Sequence, residues 1–191
     1  WADLSDVNLT GVDLSGRDLT GTILRGVDLT DKDLTFTILR GVDLTDKDLT
    51  GTIPTGTDLT DTNLTGVDLS GRDLTGTILR WADLSDTNLT GVDLSGRDLT
   101  GTILRDVDLT DKDLTGTILT EADLTNAVLP NDYLSGKNFQ YTIFKGVDLS
   151  GMDLTKSTFY LNNFVDTNLE NALLTGAEFI QVDFTKIKNK S

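Results

Sequence analysis

Carboxylate and carboxamide side chains recur at every fifth position along most of the chain, as at Asp3, Asn8, Asp13 and Asp18. Side chains of this kind at a fixed spacing could bind calcium, act as general acid and base, or accept hydrogen bonds from the backbone of a turn. The sequence lacks the glycine-rich nonapeptides of calcium-binding β-rolls, and no pair stands out among so many equivalent carboxylates. We therefore expect these side chains to cap turns.

Other site chemistries are excluded by composition. The 191 residues include neither histidine nor cysteine, which removes imidazole acid–base chemistry, thiol nucleophiles, disulfides and Cys/His zinc sites. The chain also has no insertion that would form a pocket. We predict no enzymatic activity, no cofactor and no metal site.

A five-residue repeat positions the carboxylates. It runs without insertion from Ala2 to Lys186, and its central residue is leucine or phenylalanine in every copy except at Pro54. The residue before the centre is mostly Asp or Asn, the residue after it is mostly Ser or Thr, and the last is commonly Gly, Asp or Asn. A five-residue period fits neither a helix nor a flat strand. We expect a local dent or bulge at Pro54, because proline loses both the packing of a core leucine and a backbone donor.

Phenylalanines near the C-terminal end indicate how many repeats form one coil. They recur twenty residues apart in two series, and a triangular coil of fifteen residues would set two of them against leucines. A four-sided coil would instead stack them in two adjacent core columns: Phe139, Phe159 and Phe179, and Phe144, Phe164 and Phe184.

The pattern resembles the pentapeptide-repeat family over nearly the whole chain. The resemblance implies an all-β fold, a right-handed quadrilateral β-solenoid with four pentapeptides per 20-residue coil and about nine coils. It also implies that the central residue and the residue two before it point inward. We predict a single solenoid over residues 1–186, with a Phe-rich end from about residue 137, and a short basic tail over 187–191.

Cations occupy the inward slot two before the centre in seven repeats: Arg17, Lys32, Lys47, Arg72, Arg97, Lys112 and Lys137. Burying an unpaired cation costs several kcal/mol. We expect each stem to lie along the corner and each charged head to turn outward to neighbouring aspartates, such as Asp18, Asp31 and Asp33. A polar internal channel or anion site is the alternative.

The charge balance points to a protein partner. The formal net charge is −15, which disfavours nucleic acid and membrane surfaces and favours a protein partner with a basic surface. The resemblance implies a non-catalytic scaffold or protein–protein interaction module, and the start at Trp1 without methionine suggests one domain of a larger protein. A cytoplasmic location is favoured by the missing cysteines, with a secreted effector domain as the alternative.

DNA mimicry is the second functional hypothesis. The quinolone-resistance and gyrase-inhibitor members of the family are acidic rods that occupy the DNA site of gyrase, commonly as dimers joined at their C-terminal ends. This chain is similar in its acidity and its Phe-rich end, so a homodimer through one solenoid end is a further expectation. However, a rod of about nine coils would be roughly 44 Å long. Duplex DNA of that length carries about 26 charges. The net charge of −15 gives this chain a charge density of little more than half that of DNA.

Two surface features remain open. Outward threonines such as Thr10, Thr20 and Thr30 make ice binding a third hypothesis, although outward arginines interrupt the array. Three aromatic residues at the last, outward slot are candidate interface residues: Trp1, Phe36 and Trp81. Scattered surface aromatics are common in soluble proteins, so this prediction rests on residue type alone.

Overall fold

The computed structural model describes residues 1–52, 54–132 and 134–187. The chain divides into two compact units, residues 1–93 and 94–191. Most of the predicted tail, residues 188–191, lies outside the described residues. Within the described part of the chain, no helix is long and apolar enough to cross a membrane.

Backbone pairing joins residues twenty apart within each unit. In the first unit the pairs are isolated parallel bridges, such as the one between Asp3 and Ile23. In the second unit the pairing also forms two strands, β1 (Thr158–Tyr160) and β2 (Glu178–Ile180), which are parallel and in register twenty residues apart. The coil therefore has twenty residues and four sides, as the phenylalanine spacing predicts.

Each side of the coil ends in a tight turn. The turn is closed by a backbone hydrogen bond three residues long, for example from the Val7 N–H to the Leu4 carbonyl at 3.0 Å. The last residue of the repeat then adopts a left-handed conformation, and all 18 glycines of the chain have φ between 61° and 74°. Asp6, Phe36 and Trp81 adopt it as well. The side chain at this slot consequently stands at an outer corner.

Two residues of each repeat form the core. Central leucines such as Leu44 and Leu64 are fully buried, and so are inward-slot residues such as Ala82. Inward threonines satisfy their hydroxyls by donating to the carbonyl of a central residue in the preceding coil; Thr37 Oγ1 lies 2.8 Å from the Leu14 carbonyl oxygen. Apolar packing and satisfied polar groups thus coexist inside the coil.

The phenylalanines stack in the two expected columns. The Phe159 ring lies 5.3 Å from Phe139 and 4.7 Å from Phe179, nearly parallel to both. Phe184 departs from the expected burial: it is 42% exposed, although its ring centroid lies 5.6 Å from that of Phe164 and 5.4 Å from that of Phe179. Phe179 is half-buried. The remaining column members are fully buried: Phe139, Phe144, Phe159 and Phe164.

The turn that follows Pro54 is closed in the same way as in other repeats. Pro54 is buried like the leucines that it replaces. Its carbonyl accepts the Thr57 N–H at 2.9 Å and the Thr77 hydroxyl at 2.9 Å, the same two contacts that a central leucine makes. The position needs the carbonyl for its turn, and proline retains that acceptor.

Candidate functional site

The aspartate before each repeat centre caps the adjacent turn, as predicted. Oδ1 of Asp3 accepts the Ser5 N–H at 2.9 Å, and Oδ1 of Asp18 accepts both the N–H and the hydroxyl of Thr20, at 3.0 and 2.6 Å. Each cap fixes one carboxylate relative to the backbone. The same backbone contact recurs at further positions: Asp13, Asp28, Asp33, Asp48, Asp68, Asp108, Asp113, Asp153 and Asp183.

These hydrogen bonds keep the capping carboxyls ionised. The pKa of Asp28 lies below its ordinary value because the backbone and hydroxyl of Thr30 donate to the carboxylate. Donation from Thr50 likewise lowers the pKa of Asp48, although the neighbouring charge of Asp28 opposes that shift. Both carboxyls are therefore negatively charged at neutral pH.

Five of these carboxylates form an acidic patch on the first unit: Asp13, Asp28, Asp33, Asp48 and Asp68. All five side chains are exposed. Asp28, Asp48 and Asp68 follow one another at twenty-residue intervals on one side of the coil, while Asp13 and Asp33 do so on the next. No backbone bridge joins Asp28 to Asp48 in the described structure.

Three inward-slot lysines direct their ammonium groups to backbone carbonyls, not to the expected aspartates. Lys32 Nζ lies 2.8 Å from the Leu9 carbonyl oxygen, and Lys47 Nζ lies 3.1 Å from that of Val27. Lys137 Nζ contacts two carbonyl oxygens, at 2.6 and 3.2 Å. Lys32 and Lys137 thus use the acceptor that an inward threonine hydroxyl uses, the carbonyl of a central residue in the preceding coil, whereas Lys47 uses that of an inward-slot residue.

The remaining inward-slot cations are held differently. Arg17 is exposed, whereas Arg72 and Arg97 are half-buried. The Nε atoms of Arg72 and Arg97 are buried and have no hydrogen-bond partner among the described residues. Lys112 is buried. The family pattern of small inward residues therefore tolerates cations in more than one way.

Outward arginines neutralise aspartates on other sides of the coil. Arg40 Nε lies 2.5 Å from Asp58 Oδ2, and Arg105 Nη2 lies 2.7 Å from Asp123 Oδ2. Partial burial raises the pKa of Asp58, but hydrogen bonds from Thr60 and Arg40 outweigh it and the net shift is downward. These ion pairs were not predicted from the sequence. In both pairs the partners are eighteen residues apart, and a search for Arg and Asp at that spacing would have identified them.

The three candidate interface aromatics occupy the outer-corner slot of their repeats. Trp1 and Phe36 are 102% and 69% exposed, and Trp81 is 45% exposed. A Cβ at Gly56 would lie 2.5 Å from Phe36 Cδ1, so the Phe36 ring covers that glycine, and Trp1 covers Gly21 in the same manner. Whether these rings contact a partner remains a prediction.

Metal ligation finds no support in the part of the chain that the structure describes. No group of three or more Asp or Glu side chains there is arranged to hold an ion. The carboxylates of the acidic patch instead line up as separate, turn-bound charges. Such an arrangement is suited to attracting and orienting an oppositely charged surface.

Comparison with known proteins identifies related sequences and structures. A family model described as pentapeptide repeats matches in 8 copies, at residues 2–41, 28–66, 48–80, 77–111, 108–131 and 163–187. The crystal structure of HetL, a pentapeptide repeat protein involved in heterocyst differentiation regulation from the cyanobacterium Nostoc, is 25% identical with a TM-score of 0.58. That alignment covers 95% of this chain and 86% of HetL.

A second solved structure shows a more distant likeness. QnrB1, a plasmid-mediated fluoroquinolone resistance protein, is 14% identical with a TM-score of 0.44, over 96% of this chain and 89% of QnrB1. No curated protein sequence matches the chain. The family match and the HetL structure confirm the right-handed quadrilateral β-helix that the repeat predicts.

Proposed function

Since the chain belongs to the pentapeptide-repeat family, we propose that it is a non-catalytic interaction module that binds a protein with a basic surface. The observation that carries this proposal is the acidic patch, whose carboxylates are exposed, ionised and fixed by their turn hydrogen bonds. A partner that brings Lys or Arg side chains to the patch relieves the repulsion between stacked carboxylates.

The arrangement of the lysines supports the same proposal. Lys32 and Lys47 lie between aspartates of the patch in the sequence. From the sequence alone, these lysines would be expected to pair with the neighbouring carboxylates. Both side chains are half-buried and their ammonium groups bond to main-chain carbonyls. In addition to the Thr30 hydrogen bonds, both cations still lower the pKa of Asp28 through space, but in the described structure neither forms an ion pair with a patch carboxylate.

A triple substitution tests the role of the patch. Asp28→Asn, Asp33→Asn and Asp48→Asn together remove three charges, while the asparagine Oδ1 can keep the turn cap, as Asn8 Oδ1 does for the Thr10 N–H at 2.9 Å. Partners would be captured on the wild-type chain, purified, and measured by biolayer interferometry at several salt concentrations. We expect the patch variant to bind at least about tenfold more weakly, and the wild-type affinity to fall with salt.

The matched control removes three capping charges elsewhere: Asp108→Asn, Asp153→Asn and Asp183→Asn. These carboxylates make the same turn contacts in the second unit, so the control has the same net charge as the patch variant. Equal affinity of both variants for every purified partner, or wild-type binding that ignores salt, contradicts the proposal.

Occupation of a DNA site on another protein is the second candidate. The observation that favours it is the spacing of the patch carboxylates in columns along the coil, at about 4.8 Å per coil, which presents negative charge at regular intervals. Titrating the chain into a gyrase supercoiling assay tests it. Inhibition that is relieved by added linear DNA supports mimicry, and no inhibition at large molar excess rejects it.

Ice binding loses support at the threonine hydroxyls. Thr20, Thr30 and Thr60 each donate the hydroxyl proton to the neighbouring aspartate, at 2.6 to 2.8 Å. A hydroxyl that is committed to a carboxylate is oriented by the protein and not by a water lattice. The outward threonines are better explained as second donors of the turn cap.

A further inference from the structure

One hexapeptide, TDKDLT, occurs three times, at residues 30–35, 45–50 and 110–115. In the first two copies the lysine ammonium donates to a backbone carbonyl of the preceding coil. In the third copy Lys112 is only 8% exposed, yet its ammonium has no hydrogen bond or ion pair within the described residues. The same local sequence therefore leaves one buried lysine without an acceptor.

The difference lies in the corner twenty residues further along the chain. Asn131 lacks the left-handed φ that its counterparts Gly151 and Asn171 adopt, at 69° and 58°. No turn hydrogen bond joins the Asp132 N–H to the Leu129 carbonyl in the described structure. As a result Asp132, which occupies an inward slot in the repeat, is exposed.

A cavity of about 310 Å³ opens between the two corners. Lys112 lines it, together with the carboxylates of Asp111, Asp113 and Asp132 and the buried ring of Pro130. The volume lies at the lower end of the range for small-molecule sites. Lys112 and Asp132 occupy the same inward column, twenty residues apart, but no ion pair joins them within 4.0 Å.

The cavity presents one ammonium group with no acceptor among the described residues, next to the exposed carboxylates of Asp111 and Asp132. We propose that it binds a basic amino acid, either free or at the C-terminus of a polypeptide. The shared chemistry is a carboxylate next to a cationic side chain. This site goes beyond the proposed protein-binding function and does not depend on it, because the acidic patch lies on the other unit.

Each part of the ligand has a counterpart in the cavity. The ligand carboxylate accepts from the Lys112 ammonium, for which no described residue supplies an acceptor. The cationic head faces Asp111 and Asp132, which are exposed; Asp113 adds charge, although its Oδ1 already accepts the Thr115 N–H at 2.7 Å. Pro130 provides an apolar wall for the methylene groups of the ligand.

Three probes separate the contributions, each titrated calorimetrically into the full chain. L-Arginine carries the carboxylate, the α-ammonium and the guanidinium; Nα-acetyl-L-arginine mimics a C-terminal residue; agmatine lacks the carboxylate. We expect agmatine to bind at least about tenfold more weakly than the tighter of the other two. Tighter binding of free arginine indicates an amino acid ligand, and tighter binding of the acetylated form indicates a polypeptide C-terminus.

Substitutions in the repeated hexapeptide provide the control. Lys112→Met removes the ammonium and is expected to weaken binding of the tighter probe at least about tenfold, whereas Lys32→Met, in an identical hexapeptide, leaves it unchanged. Asp132→Asn, at an exposed position, is expected to weaken the same probe and decides the question if Lys112→Met does not fold.

Several outcomes overturn the proposal. Agmatine binding as tightly as arginine rejects the role of the carboxylate. Equal effects of Lys112→Met and Lys32→Met reject the cavity as the site. Absence of binding by all three probes at about 10 mM, well above the millimolar Kd of a weak ligand, rejects the ligand class. None of these results bears on the acidic patch.

Discussion

Replacing Lys47 by threonine should stabilise the protein, because the lysine occupies an acceptor that the coil otherwise uses. The Val27 carbonyl accepts from Lys47 Nζ at 3.1 Å. At several equivalent positions the carbonyl of the inward-slot residue accepts a backbone N–H from the next coil, as the Ala2 carbonyl does from Ile23 at 2.9 Å, although the Val12 carbonyl accepts none from Asp33 in the described structure. The Asp48 N–H, which would make that bond to Val27, makes none among the described residues.

Lys32 offers a matched control within the same hexapeptide. Its ammonium bonds to the Leu9 carbonyl, twenty-three residues back, and this is the kind of acceptor that inward threonines use. Lys32→Thr therefore exchanges one donor for another, whereas Lys47→Thr also frees the Val27 carbonyl for the ladder. The two substitutions change the net charge equally.

The magnitude follows from two contributions. Releasing an ordered lysine side chain is worth up to about 2 kcal/mol, and it applies to both variants. Restoring one backbone hydrogen bond adds about 0.5–1.5 kcal/mol, and it applies to Lys47→Thr alone. We expect the free energy of unfolding to rise in both variants, with Lys47→Thr exceeding Lys32→Thr by about 1 kcal/mol.

Two measurements check this expectation. Urea denaturation followed by circular dichroism compares the free energies of unfolding, and native-state hydrogen exchange reports on the Asp48 amide directly. Exchange at Asp48 should slow in Lys47→Thr and stay unchanged in Lys32→Thr. If Lys47→Thr is no more stable than Lys32→Thr and the Asp48 amide exchanges as before, the competition for the Val27 carbonyl is refuted.

Three further predictions concern the core, the corners and the caps. Phe159→Ala should lower the free energy of unfolding, measured by urea denaturation, by about 3–5 kcal/mol. Phe184→Ala should lower it less than half as much, because Phe159 is fully buried and Phe184 is 42% exposed. Equal losses contradict the packing argument. Gly41→Ala should cost about 1–2 kcal/mol and Gly41→Asn less, because φ is 62° and no atom crowds the site; equal losses contradict backbone strain as the cause. The capping hydrogen bonds lower the pKa values of the aspartates below 3.8 in the folded state. The stabilisation that these caps provide is therefore complete well above pH 3.8 and is lost as the pH falls through the folded pKa values. Scanning fluorimetry measures this as a falling Tm, and a Tm that rises on acidification contradicts the expectation.

Much of the fold could be predicted because each repeat carries the same local information. The period of twenty residues was visible in the phenylalanines alone, and the structure places Phe159 directly opposite Phe179. The turn caps followed from the position of each Asp before a Ser or Thr, as at Asp18 and Thr20. These features depend on neighbours five or twenty residues away, and the repeat fixes both distances.

The surroundings of the inward cations could not be predicted in the same way. Lys32, Lys47 and Lys112 share one hexapeptide, yet two find carbonyl acceptors and one does not. Aspartates flank each lysine in sequence, but they point outward while the lysine stem starts inward, so proximity in sequence did not give contact. The cavity at Lys112 depends on the turn at Asn131, which does not adopt the left-handed conformation. Asn126 and Asn171 occupy the same slot of the repeat and do adopt it, so the residue type alone did not predict this difference.

The way in which cations are held also decides where the protein can attract a partner. The exposed Arg40 and Arg105 form ion pairs with the buried Asp58 and Asp123, on sides of the coil that also carry isoleucine. Lys47 directs its charge to a carbonyl in the corner, which leaves the carboxylates of the acidic patch without a bonded cation from that side chain. Substituting the arginines should therefore leave binding at the acidic patch unchanged, whereas moving a lysine head outward would weaken it. The direction in which an inward-slot cation turns therefore helps to determine the charge of the outer surface.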